Sequence, residues 1–488
     1  MLSNSKKTII CGFIFFCIWI FGTLALYTKY SLYVDVLENI KWSYHLNIVY
    51  DKHPIMGSLL MKFVLYLTSN PLLAGLICSC ICMLIAIVFL YKLLKLYFNH
   101  NITLFLIILS LISSVFGDYS FVQFNQNVIL LPFWIMTCYY FILVTKYNLL
   151  KDWILLAIVA ALGMYSKFEI GLLILIIAVF LLITLNKKNF AKLLISLIIF
   201  VILVIPLFIS LYYSHFAPIR YAIGEVNSTA NSYVTIILNL LYAQLFNLSS
   251  LGYIAIPLVF IIFLVLRKKI YFEKNKPLLE KLTDPLVVCG LYPLVVFFIL
   301  QTYATHLEYG WLMCIMSLTL PVLFYLFEVN IKDKVFDNII LVFVLIEFVV
   351  FITYNAFTYF SPQLTTRNFG NKIAVKAEQF VKNNLNHDID YVIGDSPAYN
   401  QMSLSVGALL KSKPYVFLEF NDHNIPYNQE ILAVFANCDE QKNTMTLKQN
   451  GFSLQAHQCT SIKSIDKFRN TDVKLSFYLV EKHHKTKI

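Results

Sequence analysis

Residues 30–71 read YSLYVDVLENIKWSYHLNIVYDKHPIMGSLLMKFVLYLTSNP, the longest polar break in a chain otherwise built from apolar runs. Val34, Leu37, Ile40, Trp42 and Leu46 recur at roughly helical spacing, with Asp35, Glu38 and Lys41 between them. That pattern predicts an amphipathic helix lying on a membrane surface. A second helix starts after Pro54, with Ile55, Leu59, Leu60, Phe63, Val64 and Leu67 as its apolar face. Asn70-Pro71 then opens the next apolar run.

Outward from this break, the runs at 9–27, 72–94, 102–116, 190–213, 254–266, 286–303 and 339–357 reach or approach a bilayer-spanning length, about 20 residues. Hydrophobic residues make up 59% of the chain and charged residues 13%, and the apolar excess ends near residue 360. The net charge of +11 does not imply a nucleic-acid partner, because the cations sit at alternate breaks. These are Lys6 and Lys7; Lys92 and Lys95; Lys146 and Lys151; Lys187, Lys188 and Lys192; Arg267, Lys268 and Lys269; Lys332 and Lys334. Such alternation is the positive-inside pattern and puts these breaks in the cytoplasm. The breaks at 30–71, 117–126, 166–169, 214–232 and 304–309 then face outward. The break at 214–232 reads as a loop carrying His215, Arg220 and Glu225. The count closes at about eleven spans, with the N-terminus inside and the C-terminal part outside. Residues 152–185 are read as two short helices meeting near Ser166-Lys167, since both basic flanks must lie on one side. The first apolar run has no small-residue cleavage site after it and is expected to stay as an anchor.

Beyond residue 360 the pattern changes. A helix is expected over 374–385 and strands over 391–395 and 415–420, an order that implies a small α/β unit. The expected domains are therefore 1–360 in the membrane and 361–488 outside it. Gly394 stands alone and makes no dinucleotide fingerprint. Of ten cysteines, only Cys438 and Cys459 fall in the outer domain, where they are a candidate disulfide if the compartment is oxidising.

Charge at the membrane boundary is costly, which draws attention to Tyr50-Asp51-Lys52-His53-Pro54, the densest polar cluster. A surface helix also needs a polar face, so spacing alone leaves both readings open. Asp51 and His53 are candidate ligands for a divalent ion, although two ligands do not make a metal site.

The pattern Asp35-x-x-Glu38, Trp42, Leu46, Tyr50-x-Lys52-His53-Pro54 resembles the first outer loop of the GT-C membrane glycosyltransferases. These are relatives of protein O-mannosyltransferases and of the lipid A aminoarabinose transferase. Asn127 with Trp134, Leu162-Gly-Met-Tyr-Ser166-Lys167, His306-Leu-Glu308-Tyr-Gly-Trp311 and Tyr391-Val-Ile-Gly394-Asp395 are similar to later segments of the family, in the same order. Ile55, Leu37 and Val49 depart from its usual proline, small residue and glycine.

The resemblance implies an α-helical polytopic GT-C fold with interfacial helices in the first outer loop and a small C-terminal α/β domain. It implies a multi-pass protein of the bacterial inner membrane whose C-terminal domain is periplasmic. The implied activity moves a hexosyl or pentosyl group from a polyprenyl-phosphate carrier to an envelope acceptor, foremost lipid A or another glycolipid. Protein O-glycosylation and a lipid-linked-sugar flippase are the alternatives; the flippase would call for charges within spans and an internal repeat, and few such charges and no repeat are evident. No cofactor is required beyond, at most, a divalent metal, and the partners are the donor lipid, the acceptor glycolipid and membrane lipid.

Each residue has an implied role. Asp35 is the catalytic carboxylate, with Glu38 one turn on. Lys52, Lys167, Arg220 and Tyr50 bind the carrier phosphate, a task suited to fixed cations. Asp51, His53, Asp118, His306 and Glu308 line the cavity. Alternatives stay open: Asp35 as a helix cap, Lys167 as a snorkelling lysine, and Asp118 as a solvated loop charge.

Overall fold

A computed structural model describes residues 2–29, 32–117, 121, 123–184, 186–226, 250–273, 277–303, 309–360, 370–394, 401–417, 425–435, 437–462 and 473–483. The helices begin with α1 (Asn4–Lys29), α2 (Val34–Tyr44), α3 (Met56–Thr68), α4 (Pro71–Leu94) and α5 (His100–Leu111). They continue with α6 (Gln126–Tyr147), α7 (Leu150–Ser166), α8 (Ile170–Ile183), α9 (Lys187–Tyr213) and α10 (Ala217–Val226). Next come α11 (Ala255–Leu266), β1 (Ile270–Phe272), α12 (Leu278–Leu282), α13 (Pro285–Gly290) and α14 (Tyr292–Tyr303). After them follow α15 (Leu312–Met316), α16 (Thr319–Leu326), β2 (Val329–Ile331) and α17 (Ile339–Phe360).

Among the described residues, Asn4–Ala25, Pro71–Leu94, Gln126–Tyr147 and Asn189–Tyr213 are each long and apolar enough to cross a bilayer. The other apolar helices are shorter. Only 17% of the apolar window of α9 is buried, against 67% for α6. The surface of α9 therefore needs a lipid environment, whereas α6 is an interior helix of the bundle. Two compact units form: Met1–Ile20, Asn47–Gly57 and Leu76–Ile352 make one, and Phe21–Leu46, Ser58–Gly75 and Thr353–Ile488 the other.

In the first unit, residues 152–185 form two helices, α7 and α8, separated at Lys167–Glu169 as the charge pattern requires. A Cβ on Gly163 would stand 2.3 Å from Cδ1 of the buried Ile170, so glycine lets the two helices close over this turn. The run at 286–303 is divided between α13 and α14. Gly290 there admits Val322 to 2.6 Å of where its Cβ would be. Two of the basic breaks pair as an antiparallel ribbon, β1 with β2, matching Ile270 to Ile331. Within the break at 214–232, Ala217–Val226 form α10 rather than a loop, and residues 227–232 lie outside the described residues. Buried within the bundle, the Trp19 indole donates to Glu347 (2.9 Å).

The second unit holds α18 (Gly370–Asn384), β3 (Tyr391–Gly394), α19 (Gln401–Leu409), β4 (Tyr415–Phe417), β5 (Glu430–Phe435), α20 (Glu440–Gln449), β6 (Phe452–Ile462) and β7 (Val473–Lys482). The sheet order is β4-β3-β5-β7-β6; β3 pairs parallel with β4 and β5, and β7 pairs antiparallel with β5 and β6. Along β5, Leu432 and Val434 join Phe380 and Phe477 in one core, while Ile431, Ala433 and Phe435 join Tyr478 and Val480 in another. Alternation of this kind buries both faces of the sheet. Cys438 and Cys459 are bonded, with Cα atoms 5.5 Å apart.

Both first-loop helices form. The expected apolar face of α3 is exposed at Leu59, Phe63 and Leu67, as suits an interfacial helix. Helix α2 is more enclosed than a surface helix, burying Glu38, Asn39 and Ser43 besides its apolar stripe. It packs on α19: Tyr44 Oη donates to the Ala408 carbonyl (2.7 Å) and the His45 ring stacks on Tyr415 at 3.5 Å.

Candidate phosphate-binding site

Two turns in the first unit build the site. The first is tightened by a bridge between Val49 and Pro54. The Tyr50 amide donates to the His53 carbonyl (2.9 Å), and the Ile55 amide to the Ile48 carbonyl (3.1 Å). Val49 anchors this turn against Leu207 and Leu211 of α9 and against Met164, Tyr165 and Phe168 around the second turn. The Tyr50 hydroxyl accepts from the Asn47 amide (3.1 Å), so the expected phosphate ligand Tyr50 is engaged in shaping the turn. Asp51 points to solvent. The Lys52 ammonium lies 5.4 Å from the centre of the Tyr221 ring on α10, a cation–π contact. His53 is pushed down to about 3, first by burial and then by the charges of Lys167 and Lys52. It is a neutral imidazole within electrostatic reach of both cations.

The second turn joins α7 to α8. Lys167 closes α7 by donating its amide to Gly163 O (3.1 Å). Its ammonium donates to Asn127 Oδ1 (2.5 Å), forms an ion pair with Glu169 and sits 5.5 Å from the Trp311 ring centre. Asn127 is fixed because Asn125 Oδ1 caps α6, accepting from the amides of Asn127 (3.0 Å) and Val128 (3.2 Å). The Cys314 thiol donates to the Asn127 carbonyl (3.3 Å). Lys167 is thus a buried, ligated cation and not a snorkelling one. Burial raises the Glu169 carboxyl, against the opposing pull of Lys167. Its Oε1 is buried without a hydrogen-bond partner among the described residues.

Lys52, His53 and Lys167 are therefore brought together. Arg220 is exposed on α10, one residue before Tyr221, and its guanidinium forms no ion pair among the described residues. Asp35 and Glu38 lie on α2, in the second unit. Tyr33, making no capping hydrogen bond with its side chain, occupies the N-cap of α2, so Asp35 is not the cap; it sits in the first turn, where a carboxylate suits the helix dipole. Glu38 is the more enclosed of the two, at 4% exposure. Asp118, His306 and Glu308 fall outside the described residues. No group of three or more potential ligands that could hold a metal occurs among the described residues, around Asp51 and His53 or elsewhere.

Sequence reasoning did not assign Glu169, Tyr221, or the contacts of Asn127 and Trp311 with Lys167. The available signal was Ser166-Lys167-Phe168-Glu169, opposite charges two residues apart in an otherwise apolar stretch.

The helical bundle with its first-loop helices, together with the C-terminal α/β sheet, has a fold shared with solved membrane-enzyme structures. Two crystal structures of ArnT from Cupriavidus metallidurans, one in the apo state and one bound to undecaprenyl phosphate, are similar to it with a TM-score of 0.59. At 9% identity the likeness covers 97% of this chain and 98% of that chain. Residues 52–209 match the family model described as dolichyl-phosphate-mannose-protein mannosyltransferase, a stretch containing Lys52, His53, Asn127, Lys167 and Glu169. No curated protein matches the chain by sequence.

Proposed function

We propose that this protein is a glycosyltransferase that moves a sugar from a polyprenyl-phosphate carrier to an envelope acceptor, foremost a glycolipid such as lipid A. The reaction belongs on the outer face of a bacterial inner membrane that the chain crosses about eleven times. The observation that carries this reading is the convergence of Lys52 and Lys167 on neutral His53, in a fold shared with a protein solved with undecaprenyl phosphate. The Cys438–Cys459 bond supports an oxidising compartment for the outer domain.

In the transfer, the acceptor oxygen attacks the anomeric carbon as the carbon–oxygen bond to phosphate breaks, and negative charge grows on the departing carrier. A cation about 4 Å from that charge contributes about 4 kcal/mol at an effective dielectric constant near 20. Two such cations are a large part of the stabilisation a transferase needs. Arg220 offers a bidentate partner for the same group. Asp35 takes the proton of a hydroxyl acceptor, or orients an acceptor that is already anionic. The cations and the base of this scheme are the chain's own side chains.

A second reading, with a protein as acceptor, is favoured by the description of the matched family. Asp35→Asn and Lys52→Ala variants, produced at wild-type levels in the native cell, separate the possibilities when envelope glycolipids and glycoproteins are analysed by mass spectrometry. Loss of a sugar from the glycolipid fraction supports the first reading, and loss from protein supports the second. If neither fraction changes, the transferase reading fails.

A further inference from the structure

The Lys167 ammonium has three donors, and two of them are engaged. One goes to Asn127 Oδ1 at 2.5 Å and one to Glu169, while the Trp311 ring centre stands 5.5 Å away. A carrier phosphate that pairs with this cation competes with the partners it already holds. Asn127 is neutral and can share the ammonium with an anion. Glu169 cannot, because two anions side by side in a site where Lys167 and Glu169 keep only 11% and 13% exposure repel strongly.

Resting on the reading above, we propose that Glu169 is a resident counter-ion which the carrier phosphate displaces from Lys167, and which thereby sets carrier affinity and drives release of the spent carrier. Glu169 acts through Lys167 and is a positioning residue, not a catalytic one. Lys167 is on its own turn, the Cys314 thiol on α15 lies within electrostatic reach of both Glu169 and Lys167, and Lys52 and Lys167 both act on neutral His53 of the first loop. Among the described residues Glu169 forms its ion pair with Lys167 alone, and the Lys52 ammonium lies against the Tyr221 ring instead. The carboxyl, already raised by burial, then binds a proton as phosphate arrives and loses it when the carrier departs. One proton enters Glu169 from solvent on binding and returns on release, so charge and atoms balance.

The test uses the full-length protein in nanodiscs and undecaprenyl phosphate as the probe, with its affinity measured between pH 7 and 9. There the phosphate, with a second pKa of about 6, stays dianionic. Proton uptake predicts that wild-type affinity weakens with rising pH, by up to about tenfold per unit. Glu169→Gln, which keeps a hydrogen-bonding amide beside Lys167, should bind more tightly and lose the slope. Its transfer kinetics should show KM and kcat both lowered, as release slows. A pH-independent wild-type affinity overturns the inference even if the variant does not fold. So does a Glu169→Gln protein that folds but binds more weakly or keeps the wild-type slope. Failure of the wild-type protein to bind undecaprenyl phosphate at any pH instead removes the functional reading on which the inference rests.

Discussion

Replacing Lys167 by Met removes the best-buried cation of the site and leaves the Glu169 carboxylate, 13% exposed, without its partner. Breaking a buried pair in this way costs about 3–5 kcal/mol, because the remaining charge stays desolvated. The residual exposure of both side chains puts the expected loss near the low end, about 3 kcal/mol. The loss depends on pH. Burial raises the Glu169 carboxyl above its unfolded value, and Lys167 is the group that opposes it. Without Lys167 the folded value rises further. A group raised in the folded state is harmless below its unfolded pKa and costs stability as pH climbs from there to the folded pKa. The variant should therefore approach wild-type stability in acid and fall behind it at neutral and alkaline pH. Adding Glu169→Gln removes the stranded charge and should restore most of the stability at pH 8. It should not restore sugar transfer, which loses about 10²-fold or more with the cation. Unfolding of the purified protein in detergent, followed across pH and paired with a transfer assay, reads both effects. The reasoning is refuted if Lys167→Met melts like wild type at pH 8, or if the double variant regains transfer.

Three further outcomes follow from the same geometry. Gly163→Ala forces a Cβ to within 2.3 Å of Ile170 Cδ1; overpacking of about 1–3 kcal/mol should lower thermal stability and displace Lys167, so transfer falls more than protein level does. Opening the Cys438–Cys459 bond, which spans 21 positions, should cost the C-terminal α/β sheet about 3 kcal/mol, seen as earlier proteolysis of that region in dithiothreitol and in Cys438→Ser with Cys459→Ser. His53 is held neutral at about 3 against an ordinary value of about 6.5. The unfolded chain therefore binds the extra proton as pH drops through that interval, and stability falls with acidification between those values; His53→Gln should flatten that limb of a stability–pH curve.

Much of the fold was legible because its cause is local. The basic flanks of residues 152–185 demanded two helices, and α7 and α8 meet at the expected Ser166-Lys167. The stretches at 391–395 and 415–420 were expected as strands, and β3 and β4 form within them. The β1–β2 ribbon was not legible, since three-residue strands acquire their register only when distant breaks meet. Nor were β6 and β7, whose long pairing carries a register shift between Leu454 and Ala456. Lys52 and Lys167 could be proposed from their motifs. The pairing of Lys167 with Asn127, 40 positions away, and the isolation of Glu169 Oε1 are consequences of packing that one-dimensional spacing does not contain. Helix α2 shows the same limit from the other side. Its amphipathic stripe suggested a membrane surface and carried no sign that Tyr44 and His45 also bind α19 and β4.

The central claim is that this site cleaves a sugar from a phosphate-linked lipid with the help of Lys52 and Lys167. It is tested most directly by giving the purified protein in nanodiscs a radiolabelled polyprenyl-phosphate sugar together with the total envelope glycolipid of the native cell. The account predicts that label moves from the carrier to the glycolipid with wild-type protein, and that Lys52→Ala and Lys167→Met abolish the movement. Label that stays on the carrier with wild-type protein, or that moves equally well with both variants, contradicts it.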